Sequence, residues 1–297
     1  MNEPFPHVVL VSSTLEDDGG IPVCVGQLAA ALADSGVPLA IVGQCAGKTS
    51  RAVADAASMH GVKLRVIHEP WHPLGQSRAA SRMRSLVREA AHGARIAGRR
   101  LVVHLHGVWV APVLAAAAEA ASCGATLVVS PHGMLRREAL AKSRWRKRLV
   151  WQGWLRRALL TADALHVTSD AEGDDLRTIL PGCRPVLVPL GVTPPADAPR
   201  LRDPGAPRRA GYLGRLVPIK NLDGLLEAWA RVSPRGWRLA IDGPGSPEMV
   251  GALRGLADRL GIGDVVDIGG SVPFEHIGEH FAALDLFILP SRSEAFA

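Results

Sequence analysis

The sequence predicts an α/β protein of two domains, each built on a doubly wound parallel sheet. Three observations carry that prediction. Short, unbroken apolar runs alternate with segments of helical period along nearly the whole chain, the pattern of parallel strands covered on both faces. Gly-containing turns follow several of these runs, as at Asp17-Asp18-Gly19-Gly20 and after Leu213. A stretch rich in Pro, Ala and Asp, from Val192 to Pro207, separates two such series. The expected layout is a first domain over 1–190, a linker over 191–207 and a second domain over 208–297.

Composition sets the bounds. A chain of 297 residues suits two domains, and 47% hydrophobic content is ordinary for globular proteins. Cys24, Cys45, Cys123 and Cys183 are scattered with no Cys-x-x-Cys, so neither a disulfide framework nor a zinc site is expected. No basic region followed by a long apolar core opens the chain, and no stretch approaches the ~20 apolar residues of a membrane span. A cytoplasmic location is expected. The net charge of +6 fits anionic partners.

In the first domain, His7–Ser12 reads as a strand, Thr14–Gly20 as a polar loop and Ile21–Ala33 as a helix with Pro22 in its first turn. A strand, a Gly turn and a helix leave backbone N–H groups facing an anion. This turn is not the G-x-G-x-x-G fingerprint, which argues against NAD. Strands then read at Leu39–Val42, Leu64–His68, Leu101–Leu105, Thr126–Ser130, Leu165–Thr168 and Val186–Pro189. Helices read at Ser50–His60, Ser77–Ala97, Val110–Ala121, Arg137–Leu160 and Asp170–Ile179. Functional residues of such sheets follow the strands. His104-Leu105-His106-Gly107 and Ser130-Pro131-His132-Gly133-Met134 both do. Each histidine reads either as a ligand-facing group or as a buried one satisfied by backbone. His104 and His106 share a side of their strand, but no third metal ligand is identifiable and no metal is expected.

Arg136 to Arg157 carries nine Lys and Arg residues against Glu138, with Trp145, Trp151 and Trp154 interleaved. Two readings stay open. One is contact with an anionic membrane surface or a phosphorylated lipid acceptor. The other is a solvated helix whose tryptophans pack on the domain. Nucleic acid is not an expected partner, since no recognised binding module is present.

In the second domain, strands read at Ala210–Leu213, Arg238–Ile241, Val265–Ile268 and Leu284–Leu289, and helices at Leu222–Val232, Glu248–Leu260 and Phe274–Ala283. Arg215 and Lys220 lie in the loop between the first strand and the first helix, whose start is marked by Asn221, a favoured N-cap. Two cations beside a helix N-terminus can hold a diphosphate. Asp242-Gly243-Pro244-Gly245 closes the next strand, as a phosphate-approaching turn or a plain one.

Several of these segments resemble family 4 retaining glycosyltransferases. Gly214-Arg215-Leu216-Val217-Pro218-Ile219-Lys220-Asn221 is similar to their "GRL-x-P-x-K-G/N" loop, and Pro290-Ser291-Arg292-Ser293-Glu294-Ala295-Phe296 to "PS-x-x-E-x-F-G". Asp17 to Gly20 resembles their double-glycine loop, and Pro131 to Leu135 the segment whose histidine lines the sugar site. Pro189-Leu190-Gly191-Val192 is similar to "P-N-G-[VI]", with Leu190 replacing Asn; Gly269-Gly270-Ser271-Val272 has the position of the loop against the nucleotide base.

The resemblance implies a GT-B fold, two Rossmann-like domains facing a cleft. It implies retaining transfer of a sugar from a UDP- or GDP-sugar to a glycan or polyprenyl-linked acceptor, without metal or other cofactor. The setting implied is cell-envelope or exopolysaccharide synthesis, with a peripheral position on the inner face of the plasma membrane. Arg215 and Lys220 would stabilise the leaving diphosphate, Glu294 would hold sugar hydroxyls, and His132 would reach the sugar. Gly19, Gly20, Gly243, Gly270 and Val272 would line the donor. The family pattern continues into a helix bearing a second glutamate, whereas this sequence has Ala297 where Gly is expected and stops. It therefore reads as a C-terminally truncated form with an incomplete, marginal second domain. An inactive nucleotide-sugar binder and a GT-B sugar-nucleotide epimerase are the alternatives.

Overall fold

The computed structural model describes residues 7–16, 20–136, 139–140, 144–191, 207–273, 276–292 and 294. The chain divides into two compact units, Met1–Gly191 and Val192–Ala295.

The first unit runs β1 (Val8–Ser12), α1 (Gly20–Asp34), β2 (Leu39–Gln44), α2 (Arg51–Met59), β3 (Lys63–Ile67), α3 (Pro73–Ile96), β4 (Val102–His106), α4 (Ala111–Cys123) and β5 (Thr126–Ser130). It continues through α5 (Arg144–Val150), a π-helical turn (Trp151–Leu155), α6 (Arg156–Leu160), β6 (Ala164–Val167), α7 (Asp170–Ile179) and β7 (Pro185–Leu187). Among the described residues its sheet has seven strands, all parallel, in the order β3-β2-β1-β4-β5-β6-β7. Alternate residues of β1 serve the two faces: Val9 and Val11 join one apolar cluster, with Val103, Leu105 and Val129, while Leu10 joins the other, with Val25, Ile41 and Val53. A sheet buried on both sides explains why its strands read as continuous apolar runs.

The second unit runs β8 (Arg208–Leu213), a 3-10 turn (Pro218–Lys220), α8 (Leu222–Val232), β9 (Trp237–Asp242), α9 (Pro247–Arg259), β10 (Val266–Ile268), α10 (Ile277–Ala282) and β11 (Leu286–Phe287). Among the described residues its sheet has four parallel strands, β10-β9-β8-β11. Tyr212, Leu226, Leu239 and Ile241 centre its core.

Three differences from the sequence reading are physical. The last strand, expected over Leu284–Leu289, pairs over only two residues, and Leu286 and Phe287 stay 48% and 40% exposed on the sheet edge. The helix expected over Arg137–Leu160 is interrupted by the π turn, which contains Gly153, its weakest helix former. Residues 137–138 and 141–143 of that expected helix lie outside the described residues, as does the expected linker after Gly191 up to residue 206. Arg136, counted among the basic face, is tied to Asp175 at 2.9 Å within the unit. No helix among the described residues is long and apolar enough to cross a membrane.

Candidate active site

Each sheet reverses its winding beside its first strand, between β1 and β4 and between β8 and β11. Open parallel sheets bind ligands beyond the strand C-termini at such reversals. The residues after these four strands are therefore the place to look.

In the second unit, Lys220 Nζ donates to Glu294 Oε1, joining the loop after β8 to the segment after β11. The two side chains are 16% and 21% exposed, sheltered but reachable. Asn221 fastens the same junction. Its Nδ2 donates to the Pro290 carbonyl at 3.2 Å and its Oδ1 accepts from Arg292 Nε at 3.1 Å. Arg292 N donates to the Ile219 carbonyl at 2.9 Å. The N-cap expectation for Asn221 needs correction. It precedes α8, but at φ 55° its side chain makes no capping bond and is spent on the clamp. Asn tolerates this left-handed backbone better than most residues.

Arg215 is exposed just after β8. Its carbonyl accepts the hydroxyl of Tyr212 at 3.0 Å. Burial raises the Tyr212 phenol to about 12, with Glu294 adding to the rise and Arg215 opposing it, so both charges act on one buried ring. Gly243 is held at φ 140°, and a Cβ there would stand 1.9 Å from the Gly214 carbonyl oxygen. Gly243 N donates to the Gly270 carbonyl at 2.9 Å, and Leu216 N to the Pro244 carbonyl at 2.8 Å. The turns after β8, β9 and β10 are thus packed backbone on backbone. Val272 follows, half-buried.

In the first unit, His104, His106, His132 and His166 form two hydrogen-bonded chains. His166 Nε2 lies 2.8 Å from the Val188 carbonyl, which can only accept, so it is a donor. His166 Nδ1 and His104 Nε2 lie 2.6 and 2.7 Å from Ser130 Oγ, so one hydroxyl links the two rings. The second chain joins His106 Nδ1 to His132 Nε2 at 2.9 Å. Burial pushes His104 down to about 3, His132 to about 4 and His106 well below its ordinary value, so all three are neutral at pH 7. His132 adopts φ 51° in the turn after β5. Gly20 opens α1, and a Cβ there would meet nothing within 4 Å; Gly19 lies outside the described residues.

A sequence family described as "Glycosyl transferase 4-like domain" matches residues 19–191, and "Glycosyl transferases group 1" matches 196–297. This chain belongs to the family 4 glycosyltransferases of GT-B fold. A protein named D-inositol 3-phosphate glycosyltransferase from Actinosynnema mirum is 30% identical, over 94% of this chain and 72% of its own length. One named exopolysaccharide phosphotransferase, from Streptomyces coelicolor, is 45% identical over 28% of this chain, a match spanning only 9% of that protein. Among solved structures, Anabaena HepE in complex with UDP and glucose superposes with a TM-score of 0.71 at 20% identity, covering 98% of this chain and 76% of that one.

Glu172 is not among the residues the sequence singles out. Glu172 is 3% exposed in α7; its Oε1 accepts from Gly133 N at 2.6 Å, and its Oε2 from Thr168 N and Oγ1 at 2.9 and 3.1 Å. It anchors the turn that carries His132. The Ser169-x-x-Glu172 capping-box spacing was the available signal. Ser169 does accept from Glu172 N at 3.3 Å, but the carboxylate serves Thr168 and the neighbouring turn.

Proposed function

We propose that this chain transfers a sugar from a nucleotide-diphosphate sugar to an acceptor with retention of anomeric configuration. The observation that carries the reading is the convergence of Lys220 and Glu294, with Arg215 nearby, at the winding reversal of the second sheet. As the glycosidic bond breaks, the diphosphate gains negative charge. Arg215 and Lys220 stabilise it, and preorganised charge of this kind is the largest catalytic term in many enzymes. Lys220 exchanges Glu294 for the phosphate, which frees the carboxylate to accept sugar hydroxyls. Gly19, Gly20, Gly243, Gly270 and Val272 approach the donor, and His132 hydrogen-bonds the transferred sugar, by their match to the family segments. No metal takes part, because cations and helix N-termini carry the phosphate charge.

The acceptor is a glycan or a polyprenyl-linked sugar of envelope or exopolysaccharide synthesis, met in the cytoplasm or at the inner membrane face. A groove of about 590 Å³, lined by Trp109, Trp145, Trp151, Ile179, Lys147 and Arg148, supports an acceptor combining apolar and anionic parts. Co-sedimentation with anionic vesicles at low salt tests the membrane contact.

The function itself is tested by thermal shift against UDP, GDP and their sugars. A ligand at 100 times its Kd stabilises by about 2.7 kcal/mol. No shift with any of them overturns the reading. Consumption of donor without acceptor indicates an epimerase, binding without turnover a nucleotide-sugar binder, and an inverted product anomer removes retention.

A further inference from the structure

We propose that His106 is a positioning residue that fixes the tautomer of His132: His106 donates Nδ1–H to His132 Nε2, so His132 carries its own proton on Nδ1 and offers that N–H to an incoming oxygen. Only the identity of that oxygen, a sugar hydroxyl or a phosphate, rests on the function proposed above.

The two nitrogens lie 2.9 Å apart, and the rings stack with centroids 5.2 Å apart and 21° between planes. Both rings are neutral at pH 7, because burial opposes their charging. One hydrogen therefore serves the bond, and two arrangements exist. If His132 donated, the proton of His106 would sit on its Nε2. That atom is buried and has no hydrogen-bond partner. Orphaned buried N–H groups are rarer than under-satisfied acceptors. The reverse arrangement leaves Nε2 as a bare lone pair and is favoured. It also sets the other end of the His132 ring. His132 Nδ1 has no hydrogen bond among the described residues, yet it is absent from the buried unpaired atoms, so it reaches solvent. The protein thus spends one side of the ring on a partner 1% exposed and leaves the other side open.

Two further features keep the ring in place. His132 holds a left-handed backbone, φ 51°, a sparsely populated state that the surroundings must enforce. Glu172 enforces it by gripping Gly133 N at 2.6 Å. A ring so placed is a directed donor. It is not a base at Nδ1, since that nitrogen is already protonated.

The test is a long-range nitrogen-15 NMR spectrum of the histidine-labelled chain at pH 7 without substrate, with His132 assigned by loss of its signals in His132→Gln. The expected result is His132 protonated on Nδ1 and bare on Nε2; protonation on Nε2, or an even mixture, overturns the proposal. In His106→Leu the donor is gone, and His132 is expected to become a tautomer mixture with kcat/KM about tenfold lower, the loss of one hydrogen bond. His106→Asn, whose amide can donate along the same line, is expected to keep the Nδ1–H form and stay within about threefold. An unchanged His132 spectrum in His106→Leu overturns the proposal. If His106→Leu does not fold, the wild-type spectrum still decides. That spectrum needs no sugar transfer, so an Nδ1–H ring in a chain without transferase activity would sink the functional reading alone.

Discussion

The polar cluster of the second unit joins the segments after β8 and β11, the strands that flank its winding reversal, whereas that of the first unit starts on β4, beside its reversal, and runs across β5 to β6. They keep their polar groups in opposite states. Lys220 and Glu294 stay partly accessible and satisfy each other as an ion pair. His104, His106 and His132 lie deeper and are held neutral, His106 bonded to His132 and His104 to Ser130. Burying an unpaired charge is costly, while a neutral ring loses little if its donors and acceptors are matched. Under the proposed function, the ion pair lies where it can exchange a partner for a phosphate, and the neutral ring lies where its proton stays fixed.

The sharpest way to break this contrast is kinetic. Arg215→Ala or Lys220→Ala is expected to lower kcat about 100-fold or more, the scale of losing one oxyanion-type contact. His132→Ala is expected to cost about tenfold in kcat/KM, one neutral hydrogen bond. Equal losses at the two sites, measured in the same transfer assay, would erase the distinction.

Next comes a structural contrast. Gly243→Ala forces a Cβ against the Gly214 carbonyl at 1.9 Å and should destabilise the second unit by about 3 kcal/mol in urea unfolding. Gly20→Ala meets nothing within 4 Å and should change stability by less than about 0.5 kcal/mol. Loss of activity in a stable Gly20→Ala chain would assign that glycine to ligand approach.

Acid sharpens the comparison further. The ordinary histidine value is 6.5, and His132 and His104 fall to about 4 and about 3 in the folded chain. Between those values the unfolded chain binds more protons, so folding stability is full above pH 6.5 and falls as pH drops toward 4. The slope is at most about 1.4 kcal/mol per pH unit for each such histidine. Chemical unfolding of the first unit at pH 7 and pH 5 should show it, and His132→Gln should flatten it; a pH-independent midpoint would contradict burial of neutral rings. A smaller difference separates two substitutions at Asn221. Asn221→Ala loses both clamp bonds and keeps the strained φ of 55°, whereas Asn221→Gly loses the bonds but relieves the strain. Alanine should therefore be the less stable of the two by about 1 kcal/mol.

Much of this was readable from the chain. Asp170–Ile179 and Leu222–Val232 have the bounds the sequence suggests: the first starts at the Ser169 cap, and the second carries a buried stripe of Leu222, Leu225, Leu226 and Trp229. The strand expected over Leu284–Leu289 is shorter in the structure, since that run is apolar except for Asp285 but only Leu286 and Phe287 find a strand partner. Asn221 looked like a cap because local sequence cannot show that Pro290 and Arg292 lie within its reach. The same limit hid Glu172, whose partner Gly133 is 39 residues away, and the Ser130 link between His104 and His166. Periodicity reports which face a residue takes within its own element; it does not report what the neighbouring strand brings to that face.

The contact of Gly243 with the Gly214 carbonyl has one more consequence. Side chains ordinarily cushion two neighbouring turns, so that each can shift while the layer between them repacks. Here no such layer exists, and a push on one turn is delivered to the other without slack. The turns after β8 and β9 are therefore expected to move as one piece.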